Sequence, residues 1–143
     1  MTHQDGSFEM RQPFLIKKIV DFIEMSDDMN PKDTPVGKPL LHKDLLGLEQ
    51  KQSCNYRSAV RMLNYLQNST RSDNAMAVHQ CARFTNQPML SHEQAIKRID
   101  EYLKGTSDQG IVYHPDKTKG IESYVNTYFA GGWSQADAES PEI

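Results

Sequence analysis

Long apolar runs are missing from this chain. No stretch approaches the roughly 18 consecutive apolar residues of a membrane-spanning helix, which excludes such a segment. Cysteine is scarce: two residues, Cys54 and Cys81, build no disulfide framework and fit a reducing compartment. The opening Met1-Thr2-His3-Gln4-Asp5-Gly6 has no basic stretch followed by an apolar run, so no secretory signal is expected. An intracellular location, cytoplasmic or nuclear, follows as the expectation. Apolar residues are thinly supplied as well. Counted with glycine and without tyrosine they make up about 38% of 143 residues, against roughly 45–50% in ordinary domains. The core is therefore thin for the length, as expected of a piece of something larger. No H-E-x-x-H, G-x-S-x-G, glycine-rich phosphate loop or dinucleotide fingerprint occurs.

What the chain does have is an uneven charge. The net value is −3, but residues 1–50 carry 6 basic and 9 acidic side chains, residues 51–119 carry 10 and 6, and residues 120–143 carry 0 and 4. A modestly basic middle between acidic ends is compatible with a phosphate-facing helical region and equally with solvated helix faces.

The elements can be read in order. Ser7–Arg11 alternates like a short strand after the turn dipeptide Asp5-Gly6. Pro13 suits the first position of a helix, and Leu15, Ile16, Ile19, Val20 and Ile23 recur at helical spacing through Met25. Residues 26–52, with Pro31, Pro35, Pro39, Gly37 and Gly47, predict an extended loop. Leu40, Leu41, Leu45 and Leu46 are its candidates for docking back on the core. Three helices follow: Cys54–Gln67 with Tyr56, Ala59, Val60, Leu63 and Leu66 on one stripe, Asp73–Asn86, and His92–Lys104 behind a Ser91 cap. Their short connectors predict antiparallel neighbours. Ile111–His114 and Glu122–Val125 read as the strands of a hairpin, and Ser134–Ile143 as a disordered acidic tail. The fold class is thus mainly α with short β elements (α+β): a small helical bundle, a short strand at the N-terminus and a truncated β-hairpin near the C-terminus.

Several constellations could carry chemistry. Cys54, His79, Cys81 and His92 lack the close ligand pairs of zinc sites, and no metal centre is expected. His92-Glu93 is explained by a helix start, and Asp27-Asp28 by solvent. The basic residues are more informative. Arg57 and Arg61 lie four apart on one helix face, Arg71 follows that helix, and Lys97 and Arg98 sit on the last helix. With Tyr56 and Tyr65 nearby they could track a nucleic-acid backbone.

The run Asn55-Tyr56-Arg57-Ser58-Ala59-Val60-Arg61-Met62-Leu63-Asn64-Tyr65-Leu66, then Thr70-Arg71-Ser72-Asp73 and Ala77–Phe84, resembles the polyprotein of copia-type LTR retrotransposons. So do Gln12–Ile16, Pro88, Ser91-His92, Ala95–Ile99, Tyr102–Thr106, and Tyr124-Val125 with Phe129-Ala130-Gly131. The resemblance covers roughly residues 6–133. It implies a region that follows the reverse-transcriptase palm: residues 1–110 as a thumb and connection, and 111–133 as a truncated start of RNase H. It also implies that the helices grip a primer–template duplex, RNA–DNA or DNA, through its backbone. The palm aspartates that hold magnesium in the intact polymerase lie upstream in the family, so no cofactor and no catalytic residue is expected in this chain. Asn126 stands where the family has the first RNase H acid. The expectation is a non-catalytic fragment of an RNA-directed DNA polymerase that partners its upstream palm. The alternatives are a stand-alone nucleic-acid- or polyprotein-binding module, or a decayed remnant.

Overall fold

Helices account for about half of the described residues, and the first two begin on residues suited to a helix start. The structure is a computed structural model that describes residues 5–23, 30–51, 54–116 and 118. Strand β1 (Phe8–Met10) leads through Gln12 into α1 (Pro13–Ile23). The proline at the first helical position costs no hydrogen bond, because that N–H would be unpaired anyway. Helix α2 (Tyr56–Ser69) starts on Asn55, whose side-chain oxygen accepts the Ser58 N–H at 3.0 Å. A single 3₁₀ turn (Ser72–Asn74) leads into α3 (Ala75–Ala82), which stops short of the expected Asn86. Helix α4 (Leu90–Gly105) precedes β2 (Ile111–Tyr113).

The start of α4 corrects the sequence expectation. The helix opens at Leu90, with Met89 rather than Ser91 as the cap residue. The Met89 N–H donates to His92 Nδ1 at 2.9 Å, so an imidazole at the third helical position satisfies the cap residue's N–H, the part that a glutamate or glutamine plays in a capping box. Ser91 instead donates to Asp44 Oδ2 at 2.8 Å.

The four helices form a bundle in which α1 and α3 each pack against both α2 and α4, while α2 and α4 lie diagonally with little contact. The core follows the apolar stripes: Ile16, Ile19 and Ile23 of α1; Tyr56, Ala59, Val60, Leu63 and Leu66 of α2; Ala77, Val78 and Cys81 of α3; Ile96, Ile99 and Leu103 of α4. The Tyr56 hydroxyl donates to the Cys81 carbonyl at 2.8 Å and ties α2 to the end of α3.

Strand β2 pairs antiparallel with β1, in the register Phe8↔Tyr113, Glu9↔Val112 and Met10↔Ile111. The two strands are separated by the whole bundle, and the Phe8 and Tyr113 rings stack at 4.8 Å. A Cβ on Gly110 would collide with the Met10 carbonyl, so this close approach needs glycine at the entry to β2. The expected second hairpin strand, the acidic tail and Asn126 lie outside the described residues, as do Asp27 and Asp28.

The segment 30–51 runs as a strap with no helix or strand of its own. Of the four leucines offered for docking, Leu41 packs against the core together with Val36, whereas Leu45 is 77% and Leu46 100% exposed, and Leu40 is also exposed. The strap is held by polar ties. Arg98 donates through Nε to the Thr34 carbonyl (3.1 Å) and through Nη2 to the Thr34 hydroxyl (3.0 Å). His92 Nε2 lies 3.0 Å from the His42 carbonyl, the Leu90 N–H donates to the Leu48 carbonyl, and Lys51 N–H donates to Glu93 Oε2. Because His92 Nδ1 accepts and Nε2 faces a carbonyl, the ring is the neutral Nε2–H tautomer.

Candidate nucleic-acid interface

The amphipathic pattern of α2 turns its apolar stripe inward and leaves Arg57 and Arg61 exposed on the outer face. Arg57 donates to the Asn86 side-chain oxygen at 3.1 Å, a neutral partner that leaves its charge uncompensated, and no ion pair involves Arg61 among the described residues. Exposed Tyr65 lies on the same helix. These side chains have the chemistry to meet phosphates, with a ring available for stacking.

The two cations of α4 stand differently. Lys97 and Arg98 are half-buried rather than fully exposed, and Arg98 is committed to the strap. Because α2 and α4 sit at diagonal corners, their outward faces point apart, and the four cations do not make one continuous stripe.

Arg71 has to be corrected outright. It is 1% exposed, and all three of its guanidinium nitrogens are hydrogen-bonded. Nε and Nη2 grip the Asp73 carboxylate at 3.0 and 2.8 Å, while Nη1 and Nη2 reach the Thr106 carbonyl and hydroxyl at 2.8 and 2.7 Å. The Tyr102 hydroxyl donates to Asp73 at 2.8 Å, and the guanidinium lies 5.4 Å from the Tyr102 ring centre. Burial opposes the Arg71 charge, but hydrogen bonding and attraction from Asp73 hold its pKa above the ordinary value. Burial likewise acts to raise Asp73, and the hydrogen bonds from Arg71 and Tyr102 overcome it and pull the carboxyl below its usual range. Thr106 is the C-cap of α4, so Arg71 also places a cation at the negative end of that helix. This side chain fastens the end of α2 to the end of α4, and its burial keeps it out of reach of a phosphate.

The cysteines and histidines do not converge. Among the described residues no three of His, Cys, Asp or Glu stand close enough to share a metal ion. His79 is exposed, and both His92 ring nitrogens are engaged. Burial pushes the Cys81 thiol up to about 12 and raises Cys54 as well, which makes both poor nucleophiles.

One feature escaped the sequence reading. Between the strap and helices α3 and α4 lies a cleft of about 450 Å³ with Gln80 in its lining. Gln80 is 3% exposed, and neither its amide oxygen nor its amide nitrogen has a hydrogen-bond partner. A glutamine on an otherwise apolar helix face was the available signal.

No protein-family model and no solved structure matches the chain. Among curated proteins it is similar to the retrovirus-related Pol polyprotein from transposon RE1 of Arabidopsis thaliana, with 32% identity over 117 residues and 79% of this chain. It is also 32% identical over 101 residues to the Pol polyprotein from transposon RE2 of the same plant. An uncharacterized mitochondrial protein of that plant is 28% identical over 131 residues. The chain spans 8% and 7% of the two polyproteins' length and 52% of the mitochondrial protein.

Proposed function

The chain is a relative of a segment of copia-type retrotransposon Pol polyproteins, and from that premise we propose that it is a non-catalytic part of an RNA-directed DNA polymerase that grips the primer–template duplex by its backbone. On this reading residues 1–110 are the thumb and connection, 111–133 open the RNase H domain, and Asn126 replaces its first acid. Magnesium belongs to the upstream palm, which is the chain's protein partner. The observation that carries the proposal is the pair Arg57 and Arg61, exposed together on the outer face of α2 with no carboxylate against them among the described residues. Lys97 stands apart and adds to the field of the basic middle without joining that contact. Such a grip is blind to sequence, since phosphates carry no base code.

The test is binding of an RNA–DNA hybrid across a salt series. Binding should fall steeply with salt, and R57A/R61A should weaken it and reduce the salt slope by about 2. An unchanged slope in the double variant removes this surface from consideration.

A second reading has its own observation. Leu45, Leu46 and Leu48 stand 73–100% exposed on the strap, as suits a protein-contacting module rather than a duplex grip. Binding to the upstream palm that is lost in L45S/L46S, with no affinity for the hybrid, would favour it.

A further inference from the structure

Helix α1 carries side chains that neither the core nor the duplex grip uses. Ile16, Ile19 and Ile23 are buried, while its outer face presents Phe14, Lys17, Lys18, Asp21 and Phe22, every one of them exposed. Phe14 is 89% and Phe22 41% exposed, so these rings contribute little to the burial that stabilises the fold. Phe14, Lys18 and Phe22 follow at i, i+4 and i+8, and one line along the helix reads ring, ammonium, ring. Neither Lys17 nor Lys18 forms an ion pair with another described residue, and Asp21 is the only acid of the helix.

Two kinds of partner could cover such a face, and the lysine between the rings separates them. The centre of a protein interface is depleted of charge, and of lysine in particular. An ammonium enclosed there between two apolar contacts would lose its water and needs an acid to compensate it. Nucleic acid matches the same arrangement part by part. A ring stacks on a base of any kind, and an ammonium meets the phosphates that join one base to the next. We propose that the outer face of α1 binds single-stranded nucleic acid, with bases on Phe14 and Phe22 and phosphates at Lys17 and Lys18. The two ring positions lie about 12 Å apart along the axis at 1.5 Å per residue. That is the reach of about three to four nucleotides at 3.4 Å each. A fully paired strand does not suit the contact, because stacking on a side chain needs a base freed from its neighbours. Helix α1 packs beside α2, so this stripe occupies the corner next to the duplex grip, on residues of its own.

The experiment measures fluorescence anisotropy of the full chain with three labelled probes. They are an oligo(dT) of about a dozen nucleotides, an abasic strand of the same length, and a blunt RNA–DNA hybrid. Oligo(dT) should bind at least about tenfold more tightly than the abasic strand, because only the former can stack. F14A/F22A should bring oligo(dT) down to the abasic level. F14L/F22L should do nearly the same, since leucine keeps the apolar bulk but offers no π-face. K17A/K18A should reduce the salt slope for oligo(dT) by about 1.4, at about 0.7 for each single-strand phosphate. These side chains are exposed, so every variant should melt within a few degrees of the parent, which shows that it is folded.

Equal affinity for oligo(dT) and the abasic strand overturns the proposal, as does full affinity in F14L/F22L. A dimer in sedimentation that F14A/F22A dissolves, with no binding of oligo(dT), would assign the face to a second copy and overturn it too. F14A/F22A should leave binding of the blunt hybrid unchanged, and R57A/R61A should leave the preference for oligo(dT) over the abasic strand intact. Absence of that preference with hybrid binding retained therefore sinks the α1 site alone, and the reverse sinks the duplex grip alone.

Discussion

Two large buried polar side chains in different regions of this bundle, Arg71 and Gln80, are accommodated in opposite ways. At the junction of α2 with the end of α4, Arg71 is buried and each of its donor nitrogens is matched by Asp73 or Thr106. On the face covered by the strap, Gln80 is buried with nothing matched, and leucines that could have closed the face stand in solvent. The contrast teaches where the molecule is fixed and where it is left adjustable. A satisfied polar network in a low-dielectric setting rigidifies its surroundings, whereas an unsatisfied group under a loosely tied segment marks a place that can rearrange at small cost.

The largest way to break the comparison is to turn the first region into the second. Arg71→Ala leaves the Asp73 carboxylate, the Tyr102 ring face and the α4 carboxyl end without their cation, and should cost about 3–5 kcal/mol in urea unfolding. Arg71→Lys should recover only part of that, because an ammonium cannot span the carboxylate and Thr106 together. A loss below about 1 kcal/mol would show that the knot is dispensable and erase the contrast.

Acid reaches the same knot more gently. Asp73 has a folded pKa below its unfolded value, so its contribution to stability is complete above about pH 4 and is lost as pH falls through the lower folded value. Melting temperature should therefore drop in that acidic window, and Asp73→Asn should flatten the drop while lowering stability at neutral pH. A parallel decline in both proteins would assign the acid sensitivity elsewhere.

The strap should respond locally. Arg98→Ala removes both bonds to Thr34, so amide exchange in residues 34–44 should quicken by about 2- to 10-fold, with little change in global stability. The smallest effect is expected at Leu46. It is 100% exposed, and Leu46→Ser should stay within about 0.5 kcal/mol of the parent in the same unfolding assay. A larger loss there would mean that the strap packs more firmly than its exposure indicates.

Much of the bundle was legible because helical periodicity is a local signal. The stripe Tyr56, Ala59, Val60, Leu63 and Leu66 is buried as its spacing requires, and so are Ile96, Ile99 and Leu103. Arg71 was misread because a charged residue beside a helix end is usually solvated, and nothing in Thr70-Arg71-Ser72-Asp73 discloses Tyr102 and Thr106 some thirty residues away. The pairing of β1 with β2 is non-local for the same reason, and periodicity within each strand carries no information about its partner. Ser91 looked like the cap because serine is the commoner choice, and an imidazole three residues into a helix gives no comparable sequence signal. For the candidate interface, the outward turn of Arg57 and Arg61 follows from the stripe opposite them. The burial of Gln80 depends on the strap lying over α3, which composition alone does not reveal.

The pairing of Phe8 with Tyr113 also has a mechanical meaning. A chain that enters at β1 and leaves at β2 does so side by side, about 4.8 Å apart, whatever is attached beyond. Tension drawn through both flanks would bear on that outermost pair first and at right angles to the strands, so their hydrogen bonds would part in succession rather than together. The helices would feel no load until this clasp had opened. The four-helix body is thus shielded by a mechanical fuse, and in a longer polypeptide its neighbours could be pulled apart by a modest force without dismantling it.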